Sequence, residues 1–389
     1  MPSDQLLNAL KSIRSVNSAF SRPNWAQIDI SALRHNARVL ANQAAPAQLV
    51  AVIKAGAYGH GAYHIANALK NEPHIKFFGV ASVDEGSQLR SLGITTPILL
   101  LSAILPEEAE EVIRVDLTPT VFTLETANAV SKSAGASGKI ASVHFKVDTG
   151  MGRLGVHYSE AIERFEQIAA LPNLKITGIY THMACADEVE DDLTPLQLAR
   201  FNHVVRQLGA KLENPLLKHV ANSATLLRYP ESRFDLVRPG LALYGVHPCP
   251  EFCESIDLKP VMTWKSRVTN VKTIRKGESV SYGAIWKAPK DSRIAVVACG
   301  YADGYFRSLG NCGEVLVGEY PQQNRGKVVG RVTMDQILVD VTEISCNLGD
   351  EVTLFGANLP VEEVASQAGT ISYELLCSVS SRVPRVVIP

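Results

Sequence analysis

The feature that most constrains the fold is a set of eight short apolar segments that alternate with longer amphipathic stretches between about Leu49 and Arg238. This alternation is typical of βα units arranged around a parallel sheet. Eight such units predict a (β/α)8 barrel of the TIM type. The segments are LVAVI ending at Ile53, FFGVA ending at Ala81, ILLL ending at Leu101, LTPTV ending at Val121, SVHFKV ending at Val147, ITGIY ending at Tyr180, LKHVA ending at Ala221 and DLV ending at Val237.

After Tyr244 the pattern changes to short strands separated by glycines and charged turns, which predicts a mostly β C-terminal domain. The predicted strands lie within MTWKSRV, SVSYG, SRIAVVA, GEVLVG, KVVGRVT, QILVDV and DEVTLFG, and PCPEFCESIDLKP is the expected crossover. We therefore predict an α/β protein with an N-terminal extension over residues 1–24, a barrel domain over 25–250 and a β domain over 251–389. The extension is expected to form a surface helix.

Composition narrows the classes of function. The chain has 38 basic and 39 acidic residues, and this balance gives no electrostatic footprint for nucleic acid or an anionic membrane. Its N-terminus lacks the apolar core of a signal peptide, and no apolar run is long enough to cross a bilayer. Seven scattered cysteines predict reduced thiols, and neither they nor the histidines show metal-ligand spacing. We expect a cytoplasmic protein without a metal, a membrane or a nucleic-acid partner.

Polar residues follow most of the predicted strands, at the end where barrels gather their chemistry. These candidates are Lys54, Tyr58, Lys146, Asp148, Arg153, His182, Asn222, Ser223, Arg238 and Gly240.

Lys54 follows a wholly apolar segment and precedes AGAYGHG, whose small residues let the backbone approach a bound group. A partly desolvated lysine exposes a nucleophilic amine suited to a Schiff base with an aldehyde cofactor. The alternative is a lysine that snorkels to solvent from a strand end. Ser223 and Gly240 follow the last two strands, where barrels often bind phosphate; alternatively, they form an ordinary N-cap and turn.

Nine motifs in order resemble the alanine racemase family: AVIKAGAYGHG, HFKVDTGMGRLG, GIYTHMACADE, HVANSAT, FDLVRPGLALYG, VSYG, GYADGY, GRVTMDQ and TISYELLC. The resemblance runs from NWAQIDISALRHN to near the C-terminus. It implies a barrel that binds pyridoxal 5'-phosphate (PLP), an appended β domain, and a head-to-tail homodimer whose active sites use residues from both subunits.

The resemblance also implies residue roles. Lys54 would form the Schiff base and act as one catalytic base, and Tyr282 of the partner subunit would be the second. The implied cofactor contacts are Tyr58, Ser223, Gly240, Leu241 and Tyr373 at the phosphate with Asn222 beside them, Arg238 at the pyridine nitrogen, His182 supporting Arg238, and Arg153 at the phenolic oxygen. The implied substrate contacts are Met334 and Asp335 of the partner together with Arg153, and the implied channel residues are Tyr301, Arg307 and Arg331.

Two of these positions have open alternatives. The family resemblance implies that Lys146 could be carbamylated, which would turn a cation into an anion that orients Arg153; otherwise Lys146 would pair with Asp148. Arg238 would hydrogen bond the pyridine nitrogen without protonating it, because guanidinium holds its proton tightly. Its alternative is a salt bridge at the bottom of the barrel.

The expected reaction is the interconversion of L- and D-alanine, with one acid/base on each face of the α-carbon and D-alanine supplied for peptidoglycan. Many members of the family have asparagine where this chain has Gly56 and glutamate where it has Gln27. Gly56 is expected to loosen the loop after Lys54 or to enlarge the pocket, which leaves strict alanine specificity open. The alternatives are a broad-specificity or serine racemase, a PLP-dependent amino-acid decarboxylase and a PLP-binding protein without catalytic activity.

Overall fold

The computed structural model describes residues 22–209, 215–248, 256–319 and 321–389. These residues form two compact units, Ser31–Lys259 and a second unit in which residues 22–30 are grouped with Pro260–Pro389. The predicted surface helix before Asn24 and most of the predicted crossover lie outside the described residues.

The first unit is built on a parallel barrel. Its strands pair in the cyclic order of the chain, and a parallel bridge from Leu99 to Thr118 links the third strand to the segment that enters the fourth. A short extra strand, Val156–His157, pairs with the fifth. All eight predicted strands are present, so the barrel prediction is confirmed. The strands are Gln48–Val52, Ile75–Val80, Ile98–Leu100, Thr120–Val121, Ala141–Asp148, Leu174–Tyr180, Leu217–His219 and Leu236–Val237.

Helices follow the strands and bury one apolar face each. In the first helix, Leu33, Ala37 and Leu40 recur at helical spacing and are fully buried. Ser82 and Thr123 cap later helices by accepting a hydrogen bond from the backbone N–H three residues on. The α-helical segments are Ile30–Ala44, Ala62–Leu69, Val83–Ser91, Ala109–Arg114, Leu124–Ala136, Ala161–Ala169, Leu193–Gly209 and Ser223–Arg228, with 3-10 turns at Pro106–Glu108, Pro230–Ser232 and Leu241–Tyr244. Lys54–Tyr58 forms a single turn that is mostly left-handed.

The second unit is mostly β, as predicted. Its main sheet has, in spatial order, the strands Ser292–Val297, Ile337–Asp340, Asn324–Val328, Glu314–Val317, Glu351–Phe355, Met262–Ile274, Asn24–Asp29 and Arg385–Ile388. Ser279–Val280 and Trp286–Lys287 form a separate hairpin. The helices are Val361–Ala368 and Ser372–Ser378, with 3-10 turns at Tyr282–Ala284, Tyr301–Asp303 and Arg307–Leu309.

The strand Asn24–Asp29 differs from the predicted domain division, which assigned residues from 25 onward to the barrel. It pairs antiparallel with Met262–Ile274 and parallel with Arg385–Ile388, and therefore belongs to the second unit. The indole N–H of Trp264 donates to Asn24 Oδ1 at 2.7 Å, and both side chains are buried. Burial between two partner strands explains why this segment joins a sheet more than 200 residues away.

Within the described residues, no helix is both long and apolar enough to cross a membrane. The same part of the chain holds no cluster of three His, Cys, Asp or Glu side chains arranged to bind a metal ion.

Candidate functional site

Lys54 opens an unusual turn at the end of the first barrel strand. Four consecutive residues after it have positive φ: Ala55 (52°), Gly56 (62°), Ala57 (57°) and Tyr58 (52°). Left-handed backbone costs about 1–2 kcal/mol for each residue that carries a Cβ, so three of these four are strained. Strain of this kind is characteristic of functional sites.

Hydrogen bonds hold this left-handed turn in place. Gly61 N donates to Gly56 O at 2.7 Å. The carboxylate of Glu85 accepts from Ala55 N at 2.6 Å and from Ala81 N at 2.8 Å, which ties the turn to the end of the second strand. The turn therefore fixes the backbone positions from which the side chains of Lys54 and Tyr58 extend.

Four of the predicted phosphate contacts lie together. Ser223 Oγ accepts hydrogen bonds from Gly240 N at 3.0 Å and Ala242 N at 3.3 Å, and the serine is 3% exposed. A Cβ on Gly240 would stand 2.5 Å from Tyr58 Oη, so only glycine lets the phenol lie here. Leu241 follows directly and is buried. Both bonds of Ser223 are accepted ones, which leaves its hydroxyl proton available for an anionic ligand.

Asn222 caps a helix with its side-chain oxygen. Its Oδ1 accepts from Thr225 N and Thr225 Oγ1, both at 2.9 Å, and so it caps the helix Ser223–Arg228. The N-cap that the sequence analysis offered as an alternative for Ser223 is thus Asn222. Its contact with a cofactor stays a prediction.

Arg238 follows the last barrel strand and is 4% exposed. Its guanidinium donates to His219 Nδ1 (2.9 Å), Thr181 O (2.8 Å), Val220 O (3.0 Å) and His182 Nδ1 (3.2 Å). Within the described residues it forms no ion pair with a carboxylate, so the alternative of a barrel-bottom salt bridge is wrong. Burial lowers the pKa of Arg238 to about 10, and the group remains charged at neutral pH.

The predicted support of Arg238 by His182 is visible as this hydrogen bond. Burial, together with the charges of Arg238, Lys146, Arg153 and Lys54, lowers the pKa of His182 well below its usual value. His182 is therefore neutral, and it lies near four basic side chains at the carboxyl end of the barrel. This end of the barrel is strongly electropositive.

Lys146 is 5% exposed, with its Nζ 5.1 Å from the centre of the Tyr180 ring. Burial first, then Arg238 and Arg153, lower its pKa to about 7. Asp148 Oδ1 instead accepts from Gly150 N at 2.9 Å, and no ion pair joins Asp148 to Lys146 within the described residues. The alternative in which Lys146 pairs with Asp148 is therefore not what the structure shows.

The remaining candidates lie in the second unit. Tyr282 is 74% exposed, in a loop where Ser281 and Ala284 have φ of 62° and 48°. Ser281 Oγ donates to Arg331 O at 2.8 Å, and a cavity of about 260 Å³ is lined by Ser281, Tyr282, Thr333, Gln336 and Leu338. The structure thus brings Tyr282 and Arg331 close to the TMDQ motif.

Backbone bonds join the GYADGY and TMDQ motifs. Tyr301 N donates to Thr333 O at 2.9 Å, and Ala302 N donates to Met334 O at 3.0 Å. Asp335 receives a hydrogen bond from Arg382 at 2.7 Å. Arg307 is exposed in its own turn, and Tyr373 lies in the helix Ser372–Ser378. The channel role of Arg307 and the phosphate role of Tyr373 stay predictions.

Three buried residues of the barrel strands were not predicted, because the sequence pattern pointed to the polar residues that follow each strand. His144, Tyr180 and His219 lie within strands and are fully or almost fully buried. Their rings are linked: Tyr180 stacks on His219 at 4.5 Å, and His144 Nδ1 lies 2.9 Å from His219 Nε2. The signal was the period of two in HFKVD, which places His144 on the same face as Lys146.

Comparisons with known proteins agree across both units. Residues 28–248 match the family model "Alanine racemase, N-terminal domain", and residues 261–387 match "Alanine racemase, C-terminal domain". An alanine racemase of Carboxydothermus hydrogenoformans is 43% identical over 94% of this chain and 100% of its own length. One of Desulforamulus reducens is 43% identical over 94% of this chain and 99% of its own.

Solved structures agree as well. The alanine racemase of Clostridium difficile 630 has a TM-score of 0.89 and 36% identity, and the match covers 95% of this chain and 96% of the other. That of Bacillus anthracis, with bound L-Ala-P, has a TM-score of 0.87 and 34% identity over 95% of this chain and 96% of the other.

Proposed function

Because the chain belongs to the alanine racemase family, we propose that it is a PLP-dependent enzyme that interconverts L- and D-alanine. The observation that carries this proposal is the carboxyl end of the barrel, where Lys54 opens a strained turn beside a buried Arg238 that no carboxylate among the described residues neutralises.

The residues present fit PLP. The phosphate is a dianion, and the Tyr58–Gly240–Ser223 cluster offers it two hydroxyl groups around a backbone with no side chain in the way. Lys54 would bind the aldehyde carbon, Arg238 would donate to the pyridine nitrogen and Arg153 to the phenolic oxygen. When bound, PLP supplies the electron sink that makes the α-proton of an amino acid acidic.

The protein must then hold a proton at two places, one on each face of the α-carbon. We assign Lys54 Nζ to one face and Tyr282 Oη of the partner subunit to the other. Because Arg238 donates to His182 Nδ1, neutral His182 must carry its proton on Nε2. That N–H can stabilise a nearby phenolate, which would lower the pKa of the catalytic tyrosine toward working pH.

The exposure of Tyr282 supports a homodimer with shared active sites. Tyr282, Met334 and Tyr301 are 74%, 53% and 43% exposed, and their loops are joined by the contacts described above. An exposed patch of large side chains often marks an interface. We propose that a second copy of the chain covers this patch and receives Tyr282, Met334 and Asp335 into its own active site.

Mixing two inactive variants tests that arrangement. Lys54→Ala and Tyr282→Phe each remove one base, but a heterodimer of the two would contain one complete site if sites are shared. Random mixing should then restore about a quarter of wild-type activity. No restoration from a mixture whose heterodimers are verified would refute shared sites.

We also propose that Lys146 is carbamylated in the active enzyme. A pKa of about 7 leaves much of the amine neutral, as attack on CO2 requires. The N–C bond would form with loss of one N–H proton to water, leaving a carbamate anion among Arg238, Arg153 and Lys54. Incubation with ¹³C-bicarbonate should give a carbamate carbon signal that Lys146→Met lacks; equal spectra would refute it.

The activity itself is tested with PLP and L-alanine in heavy water, followed by chiral chromatography with mass detection. D-alanine with deuterium on the α-carbon is expected. A released amine would instead indicate the decarboxylase, and no product with verified bound PLP would indicate a PLP-binding protein without catalysis. Tyr282→Phe should abolish turnover while leaving the absorbance of the bound cofactor intact.

Parallel assays with serine and other small amino acids measure how strict the alanine specificity is. We further propose that the protein acts in the cytoplasm and supplies D-alanine for peptidoglycan. Rescue of growth in a bacterium that requires D-alanine, by the wild type and not by Lys54→Ala, is the corresponding test.

A further inference from the structure

Arg238 is a buried cation whose acceptors are all neutral. Two are backbone carbonyls, and two are the imidazoles of His182 and His219. A guanidinium can only donate hydrogen bonds, so both imidazoles must present a bare nitrogen to it. The positions of the histidine protons around Arg238 are therefore not free to vary.

His219 is fully buried, and burial together with the charge of Arg238 lowers its pKa well below the usual value, so its ring is neutral. A neutral imidazole carries one N–H. Since Nδ1 accepts from Arg238, the proton lies on Nε2, and Nε2 is 2.9 Å from His144 Nδ1. His144 is thus the acceptor for His219.

His144 is fully buried, and burial lowers its pKa to about 3. Its own proton must lie on Nε2, which has no hydrogen-bond partner within the described residues. A core histidine chosen only for packing would be expected to satisfy both nitrogens. This one leaves a buried N–H unpaired, while the other nitrogen faces His219.

Packing keeps the His144 ring in that orientation. Phe77 meets it edge-on, with ring centres 5.5 Å apart and planes at 70°. On another side, a Cβ at Gly178 would stand 2.7 Å from ring atoms of His144, so the glycine backbone lies against the ring. The ring cannot turn without displacing these neighbours.

We propose that His144 is a positioning residue for Arg238: by accepting a hydrogen bond from His219, it fixes the His219 tautomer that presents a bare nitrogen to the guanidinium. The proposal rests on the proposed function, in which Arg238 donates to the pyridine nitrogen. Without the acceptor, the Nε2–H of His219 would be buried and unpaired, so the tautomer that Arg238 requires would become less stable. The other tautomer would direct an N–H at an N–H of Arg238 and loosen the guanidinium from its position.

Neutron diffraction from crystals of the deuterated holoenzyme reads the tautomers directly. Deuterium is expected on Nε2 of both His219 and His144, and on neither Nδ1. Deuterium on His219 Nδ1, or on His144 Nδ1, would overturn the proposal. This readout does not depend on turnover, so it stands even if the assay with alanine were to contradict the proposed function.

Two variants separate acceptance from packing. His144→Phe keeps a planar ring but no acceptor, whereas His144→Asn places an amide oxygen near the former Nδ1. We expect His144→Phe to lower kcat about tenfold with KM changed less than about twofold, and to shift the pH dependence of the cofactor absorbance. His144→Asn should recover most of both. An Asn variant that is soluble and as impaired as Phe refutes the role as acceptor.

A double-variant cycle tests whether His144 acts through His219. In the background of His219→Phe, adding His144→Phe should change kcat by less than about twofold, because the bond is already absent. Full tenfold effects of both changes in the double variant would show that they act independently and would refute the proposal. If His144→Phe does not fold, the same cycle is run with His144→Leu, and the neutron result decides independently.

Discussion

Replacing Gly240 with alanine tests the proposed phosphate site at its tightest point. The new methyl group would lie 2.5 Å from Tyr58 Oη and 3.1 Å from Tyr58 Cζ, whereas ordinary contacts begin near 3.4 Å. The phenol oxygen would have to retreat by roughly 1 Å.

The phenol has little room to retreat. Tyr58 is 8% exposed, and its ring centre lies 5.1 Å from that of Tyr244, whose hydroxyl donates to Val52 O at 2.8 Å. Overpacking of this kind costs about 1–3 kcal/mol. If the phenol stays in place, the free energy of unfolding falls by that amount. If the phenol moves away, the same free energy is lost from cofactor binding, and the Kd for PLP rises about 5–150-fold.

Both quantities are measurable on the apoenzyme, by chemical denaturation and by titration with PLP followed by absorbance. Gly209→Ala is the matched control, because a Cβ there meets no atom within 4 Å. Adding Tyr58→Phe to Gly240→Ala removes the clashing oxygen and should recover part of the loss, although Tyr58→Phe alone weakens binding. A Gly240→Ala protein that matches wild type in both measurements would refute the assigned geometry.

Three further predictions concern Gly56, Asp303 and His144. Gly56 has φ of 62° and open space at its Cβ position. Gly56→Asn should therefore change the free energy of unfolding by less than about 0.5 kcal/mol, whereas Gly56→Val should lower it by about 1–2 kcal/mol. Equal effects of the two variants in denaturant titrations would contradict this. Asp303 is fully buried and forms an ion pair with the partly exposed Arg22. Asp303→Asn should therefore lower the free energy of unfolding by about 2 kcal/mol in the same titration. An unchanged free energy of unfolding would show that the pair contributes little. His144 has a pKa of about 3 in the folded protein and about 6.5 in the unfolded chain, so between these values only the unfolded chain binds the proton and the free energy of unfolding falls as pH falls. His144→Phe should make that decline shallower between pH 6.5 and pH 3. An unchanged slope would contradict a buried neutral ring.

The barrel could be predicted because buried parallel strands have a strong local signature. Each strand is covered on both sides, so it reads as a continuous apolar run, and the polar residue that follows marks its carboxyl end. Lys54 and Arg238 were found in this way, each directly after such a run.

The strand Asn24–Asp29 could not be assigned to its sheet by the same reasoning. Its pattern is that of any short strand, and its partners Met262–Ile274 and Arg385–Ile388 lie more than 200 residues away. Nothing local identifies a partner at that separation, because pairing depends on how the whole sheet assembles. Position along the chain suggested the barrel, and long-range pairing decided otherwise.

His144 and His219 could not be predicted as site residues, for a different reason. His144 and His219 belong to runs that read as strand interior, where the expected residues are apolar. The sequence around such a histidine does not indicate a role, because its hydrogen-bond donor comes from a neighbouring strand. Only the structure shows that the strands Ala141–Asp148 and Leu217–His219 place His144 Nδ1 2.9 Å from His219 Nε2, with Arg238 at the other nitrogen of His219.

Neutral acceptors around Arg238 have a consequence that a carboxylate would not have. A buried carboxylate would neutralise the guanidinium within the protein, and the pair would be complete without any ligand. Carbonyl and imidazole acceptors satisfy its N–H groups but leave its charge, with those of Arg153 and Lys54, at the carboxyl end of the barrel. Burying such uncompensated charge is costly, and in the proposed function an anionic cofactor and a substrate carboxylate would supply the missing compensation. The apoenzyme should accordingly be less stable than the holoenzyme by more than contact area alone would give, and inorganic phosphate should recover part of the difference in a denaturant titration.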